Sequence, residues 1–161
     1  CFNGKVLTGV TGKNAILLDK RAGLTVTFED CVGVYDNEGH YIGGGLTGKG
    51  STFGSGLRIN ASSGKSHTVT WNGGAIFGCV SNAASTGGAG GSAVYMQAKQ
   101  SSTYTYGGKL TFNGGAVHDN LTSDDNEKAT GNIAGVMQTS SGCTMTINNG
   151  SFYSKNHFIY T

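Results

Sequence analysis

Val69-Thr70-Trp71-Asn72-Gly73-Gly74-Ala75-Ile76 returns along the chain as Leu110-Thr111-Phe112-Asn113-Gly114-Gly115-Ala116-Val117, and again as Met145-Thr146-Ile147-Asn148-Asn149-Gly150-Ser151-Phe152. A worn upstream copy is Val26-Thr27-Phe28-Glu29-Asp30, followed by Val34-Tyr35-Asp36-Asn37. A second motif keeps nearly the same period: Ala15-Ile16-Leu17-Leu18-Asp19, Gly56-Leu57-Arg58-Ile59-Asn60, Ala93-Val94-Tyr95-Met96-Gln97 and Ala134-Gly135-Val136-Met137-Gln138. Two motifs that recur together mark a repeat architecture, in which each unit buries its apolar face only by stacking on its neighbours.

Each repeat holds three short segments that alternate apolar and polar with period two, the pattern of half-buried strands. In the first strand Ile16, Leu57 and Val94 form one inward column, and Leu18, Ile59, Met96 and Met137 the next. In the second, Val26, Val69, Leu110 and Met145 point inward with Phe28, Trp71, Phe112 and Ile147. In the third, Val34, Ile76, Val117 and Phe152 occupy the inward column. Stacking like on like makes corresponding strands parallel neighbours and turns the Asn-Gly steps, which tolerate positive φ, into corners. Antiparallel hairpins in a β-sandwich are the alternative that Asn-Gly turns alone would suggest.

The predicted fold is therefore all-β: a parallel β-helix of about four coils with three strands each and long corner loops. It is one domain over residues 1–161, with a partial coil at 1–11, coils at 12–53, 54–90, 91–130 and 131–156, and a closing segment at 157–161. The apolar His157-Phe158-Ile159-Tyr160 stretch would cap the last coil or pair with another copy.

Composition narrows the function classes. Hydrophobic residues make up 37%, charged residues 12%, and there are 29 glycines and no proline. A net charge of +2 with scattered lysines and only two arginines, Arg21 and Arg58, gives no phosphate-binding stripe, so no nucleic-acid partner is expected. No apolar run approaches the roughly 20 residues of a membrane-spanning helix. Cys1, Cys31, Cys79 and Cys143 include no Cys-x-x-Cys pair, which argues against zinc, and their spacing leaves disulfide pairing open.

The segments Gly73-Gly74-Ala75-Ile76, Gly114-Gly115-Ala116-Val117 with Asn120, and Asn149-Gly150-Ser151-Phe152 with Asn156 resemble the GGA[ILV] and FxxN motifs of polymorphic outer-membrane proteins. More loosely they resemble large adhesin-like β-helical surface proteins. The resemblance covers most of residues 24–156 and implies a secreted, pectin-lyase-like right-handed parallel β-helix used in adhesion or surface display. Asp30 and Cys31 interrupt the first copy, and Cys79 stands at the Asn position of the second.

Four groups of candidate residues follow. Asn37, Cys79, Asn120 and Asn156 fall at the corner after the third strand, where stacked amides satisfy backbone groups from coil to coil. Tyr35, Phe77, His118 and Tyr153 form the outward column of the third strand, a candidate ligand-binding strip for a glycan or a protein on a cell surface. A long loop carrying Tyr104 and Tyr106 would otherwise fold over that strip, and Tyr41, Tyr104 and Tyr106 are the candidate loop contacts. The outward threonines Thr25, Thr27, Thr68, Thr70, Thr111, Thr144 and Thr146, interrupted by Lys109, are ordinary solvent-facing strand residues rather than an ice-binding array.

Catalytic residues are not expected. Asp36 and Asp119 fall at equivalent places two coils apart, at the upper limit of a glycosidase pair, and each is better explained as a corner residue. Asp124, Asp125 and Glu127 form a weak Ca²⁺ candidate, and no cofactor is expected. These residues predict a non-catalytic extracellular scaffold, with end-to-end self-assembly or polysaccharide lysis or hydrolysis as alternatives.

Overall fold

The Thr-Val-Thr-Phe type of segment is an alternating β-former, and in the computed structural model its copies lie side by side. Thr25–Phe28, Thr68–Trp71, Lys109–Phe112 and Thr144–Ile147 form a four-stranded parallel sheet in chain order. The register joins Val26 to Val69, Val69 to Leu110 and Leu110 to Met145, the predicted inward column. The structure describes residues 1–19, 23–51, 56–61, 65–81, 93–100, 105–120, 137–139, 141–153 and 159–160. These are all-β, with no helix among the described residues.

Two five-stranded sheets, also parallel throughout, take the other motif strands. One runs Ile16–Leu18, Leu57–Asn60, Val94–Gln97, Met137–Thr139, Ile159–Tyr160. The other runs Val6–Thr8, Gly45–Thr47, Ala75–Phe77, Ala116–His118, Ser151–Tyr153. Three two-stranded pairings complete the described β structure: Lys49–Ser51 with Val80–Ser81, Lys99–Gln100 with Thr105–Tyr106, and Val34–Tyr35 with Tyr41–Ile42.

Two expectations are corrected. The third strand of the first repeat is Gly45–Thr47, not the segment at Val34, because Leu46 rather than Val34 pairs with Ile76. Leu46 is fully buried, whereas Val34 is 58% exposed. Gly45 suits that position because a Cβ there would run into the Ala75 carbonyl. In the last repeat Met137 pairs with Val94 and not with Met96. This slip of two residues leaves the alternation of faces unchanged. Of the two alternatives for the closing segment, the first is seen: Ile159–Tyr160 pairs with Met137–Gln138 of the same chain.

The core is drawn from the middle members of the predicted inward columns, with Leu46 added. Leu57, Ile59, Val69, Trp71, Ile76, Val94, Met96, Phe112 and Val117 are all fully buried. Burying a side chain of this size contributes about 1.5–3 kcal/mol. Trp71 stacks on Phe112 at 5.4 Å and packs on Phe28 at 4.8 Å. Phe2 closes this aromatic row, 6.1 Å from Phe28 and 5.6 Å from Trp71, with its N–H donating to the Glu29 carbonyl. A disulfide between Cys1 and Cys31 holds that plug, while Cys79 and Cys143 form no disulfide among the described residues. His67, fully buried, accepts from the Leu24 N–H at Nδ1 and donates from Nε2 to the Asn60 carbonyl, which fixes its tautomer.

Candidate functional site

The residues of the expected strip come from two places. Phe77, His118 and Tyr153 are paired neighbours on successive strands, and their rings stack. Phe77 lies 5.4 Å from His118 at 9°, and His118 lies 4.9 Å from Tyr153 at 18°. Faces so nearly parallel are spent on one another. His118 has both faces covered, and the row presents ring edges along its length. Tyr153, 37% exposed, ends the row.

Tyr35 does not belong to that column. The segment from Val34 to Ile42 is a small antiparallel hairpin in which Tyr35 pairs with Tyr41. Asp36 closes its turn, accepting the N–H groups of Glu38 and His40 at 2.9 and 2.8 Å. Asn37 sits exposed in that turn, so it is no member of an amide column.

The hairpin lies as a strap over the corner between the second and third strands. Tyr41 Oη accepts the Gly74 N–H at 2.9 Å and donates to Asp30 at 3.0 Å. Tyr35 Oη accepts the Gly115 N–H and donates to the Gly115 carbonyl, both at 2.8 Å. Gly74 and Gly115 hold the same place in successive repeats, with φ of +103° and +85°. The two rings, edge to face at 5.4 Å, step from one repeat to the next because cross-strand neighbours in a hairpin and stacked parallel strands share almost the same spacing, about 5 Å.

Asp30 anchors the strap. Its carboxylate accepts from the Gly4 and Gly44 N–H groups at 2.8 and 2.6 Å and from the Tyr41 hydroxyl. Partial burial pushes the Asp30 carboxyl up, but these bonds and one from Val32 outweigh it and hold the group below its ordinary value. Tyr41 in turn is pushed up to about 12 by burial and by its bond to Asp30.

The strap brings His40 to the aromatic row. Its ring meets Tyr153 edge-on at 5.8 Å, and its Nδ1 lies 3.2 Å from Asp36 and 3.5 Å from Glu38. On the other side His118 Nδ1 contacts Asp119 at 2.8 Å. Burial, then the charges of Asp119 and Asp36, raise the Tyr153 hydroxyl above its usual value. Tyr153 thus lies between two histidines, with the charges of Asp36 and Asp119 acting on it and Glu38 reaching His40. Among the described residues none of these three carboxylates has a lysine or arginine within ion-pair distance. Ligand atoms of Asp36, Glu38 and His40 lie within 4.8 Å of one another, all three residues exposed.

The two aspartates weighed as a glycosidase pair are not equivalent. Asp36 belongs to the strap, whereas Asp119 takes φ of +52° at the corner where Gly78 takes +57°. One member of the expected amide column does bridge strands. Asn120, fully buried, accepts the Cys79 N–H and donates to the Ile76 carbonyl, both at 2.9 Å. Burial pushes the Cys79 thiol up to about 12, which leaves it protonated and unreactive.

A second amide ladder, unforeseen, runs along the exposed corner. Asn148 donates to Asn113 at 2.8 Å, Asn113 to Asn72 at 3.0 Å, and Asn72 to Glu29 at 3.3 Å. Its signal was the recurrence of Asn after each second strand, explained in the sequence by turn preference alone. Tyr106 lies on a separate hairpin with Lys99–Gln100, while Tyr104, Asp124, Asp125, Glu127 and Asn156 lie outside the described residues. No family model, curated protein or solved structure matches the chain.

Proposed function

We propose that this chain is a right-handed parallel β-helix serving as a non-catalytic, extracellular surface scaffold that contacts a glycan through the Tyr153 end of its aromatic row. The β-helix reading is supported by three parallel sheets that the chain visits in the same rotation in each repeat, and right-handedness by the general rule for parallel crossovers. An oxidising compartment is supported by the Cys1–Cys31 disulfide. Among the described residues no helix is long and apolar enough to cross a membrane.

The observation that carries the ligand reading is Tyr153 itself: a partly exposed ring between His40 and His118, whose carboxylate partners are Asp36, Glu38 and Asp119. One aromatic face with hydrogen-bonding groups at its rim suits the apolar face and hydroxyls of a sugar. Phe77 and His118 support Tyr153 from below rather than offering further stacking faces.

A glycan array with the parent chain, Tyr153→Ala and Phe77→Ala tests this. Binding lost in Tyr153→Ala and only weakened in Phe77→Ala is expected. An array on which Tyr153→Ala binds as well as the parent removes the site. A parent that binds no glycan but captures a protein partner through Tyr153 moves the ligand class from sugar to protein. End-to-end assembly has less support, because Phe2 fills the first end. A head-to-tail junction would also set the Glu29 carboxylate against Asn148, whose amide nitrogen already serves Asn113.

A further inference from the structure

The Cys1–Cys31 disulfide stands where three separate structures meet. Cys1 precedes Phe2, the plug of the aromatic core. Cys31 follows Asp30, whose carboxylate gathers the Gly4 N–H, the Gly44 N–H at the entry to Gly45–Thr47, and the Tyr41 hydroxyl of the strap. The strap then reaches Gly74, Gly115 and, through His40, Tyr153. Both cysteines are exposed to solvent, so a reductant can reach the bond, and exposed disulfides are the exchangeable ones.

The geometry points to a thiol-controlled clamp: reducing Cys1–Cys31 frees the Phe2 plug and the Tyr35/Tyr41 strap together while the parallel sheets stay folded. The step is a thiol–disulfide exchange with a dithiol. One dithiol thiolate attacks a sulfur of Cys1–Cys31, the S–S bond breaks, and the second thiol displaces the mixed disulfide. The protein gains two electrons and two protons as two thiols, and the dithiol leaves as its cyclic disulfide. Opening the bond dissolves a closed loop of 30 residues of sequence separation, and the freed segment regains the conformational entropy that the link withheld. What opposes release is a few hydrogen bonds at Asp30, Gly74 and Gly115 and the contacts of one phenylalanine. The sheets instead hold through the columns around Trp71, Phe112 and Val94, which contain neither cysteine.

The clamp has a built-in reporter, because Trp71 is the only tryptophan, is fully buried, and touches Phe2. The full chain is reduced with a dithiol under native conditions, and alkylation mapping verifies that Cys1 and Cys31 have opened. The expected result is a red-shifted Trp71 emission open to quenching by acrylamide, with the β-sheet circular dichroism retained. Amide exchange at Gly74 and Gly115 should speed up by about tenfold or more, and reoxidation should reverse all three. Phe2→Ala in the oxidised chain should expose Trp71 without touching the strap amides, which separates plug from strap. Two outcomes overturn the clamp. Verified reduction with Trp71 emission and Gly115 exchange unchanged would show that plug and strap hold without it. Loss of the whole β signal on reduction would make the disulfide a global staple.

Discussion

Two corners flank the strands Ala75–Phe77 and Ala116–His118, and both are built from asparagine amides by different means. On one side Asn72, Asn113 and Asn148 form an exposed ladder that ends on Glu29. On the other, Asn120 alone among the described residues reaches across, fully buried, to the backbone of Cys79 and Ile76. The exposed ladder repeats at every copy yet replaces bonds that water would supply. The buried amide occurs once among the described residues of this corner, where it satisfies the Cys79 N–H and adds a bond to the Ile76 carbonyl. Regularity marks the cheaper corner and burial the more important one.

The difference can be tested by removing amides from each side. Asn120→Ala strands the Cys79 N–H in the core, and a loss of roughly 1–3 kcal/mol is expected from urea denaturation. A loss under ~1 kcal/mol would mean that the corner re-satisfies itself and the contrast is false. Tyr41→Phe removes a hydroxyl that serves both Gly74 and Asp30 between the two corners, and ~1–2 kcal/mol is expected by the same measurement. Tyr35→Phe should cost less, since Tyr35 is 45% exposed and its hydroxyl serves one residue, Gly115, rather than two.

Acid sharpens the comparison further. The folded Asp30 carboxyl lies below its ordinary value, so its contribution is complete above the unfolded value of about 3.9 and is lost as pH falls through the folded one. Stability measured from pH 6 down to 2 should therefore fall less steeply in Asp30→Asn than in the parent. Parallel acid limbs would show that Asp30 is not the anchor. Smallest of all, Asn113→Ala breaks two rungs of the exposed ladder and should cost under ~1 kcal/mol. A loss matching that of Asn120→Ala would reverse the ranking of the corners.

How much of this was legible in the sequence depended on which physical signal each part leaves. The register from Val26 through Val69 and Leu110 to Met145 was readable, because packing like on like demands the same residue type at the same phase. The first repeat misled because Val34-Tyr35 has better β propensity than Gly44-Gly45-Leu46-Thr47, the segment that actually occupies the sheet. The inserted hairpin outcompeted the true strand in pattern while lying outside the core in space. The slip at Met137 was invisible because two residues restore the same alternation.

The candidate site was half legible. Phe77, His118 and Tyr153 share a phase and were found together. Tyr35 shares that phase only on a false alignment: it lies on the hairpin with Tyr41, over Gly115 and Gly74, and it is His40 of that hairpin that reaches Tyr153. No local pattern could give that, because the strap's reach is set by the match of hairpin width to strand spacing. Asn72 and Asn113 had already been noticed for their turn-forming tendency, which hid their hydrogen-bonding role.

The face-to-face rings of Phe77, His118 and Tyr153 bear on valency. A repeat protein with one docking aromatic per unit gains avidity as units are added. Here each ring shields the one beneath it, so a further unit carrying another aromatic would cover Tyr153 and present its own ring in its place. Lengthening such a row relocates its contact point without multiplying it. On the glycan reading proposed above, a chain of this design stays monovalent at any length, and multivalency comes from the number of chains.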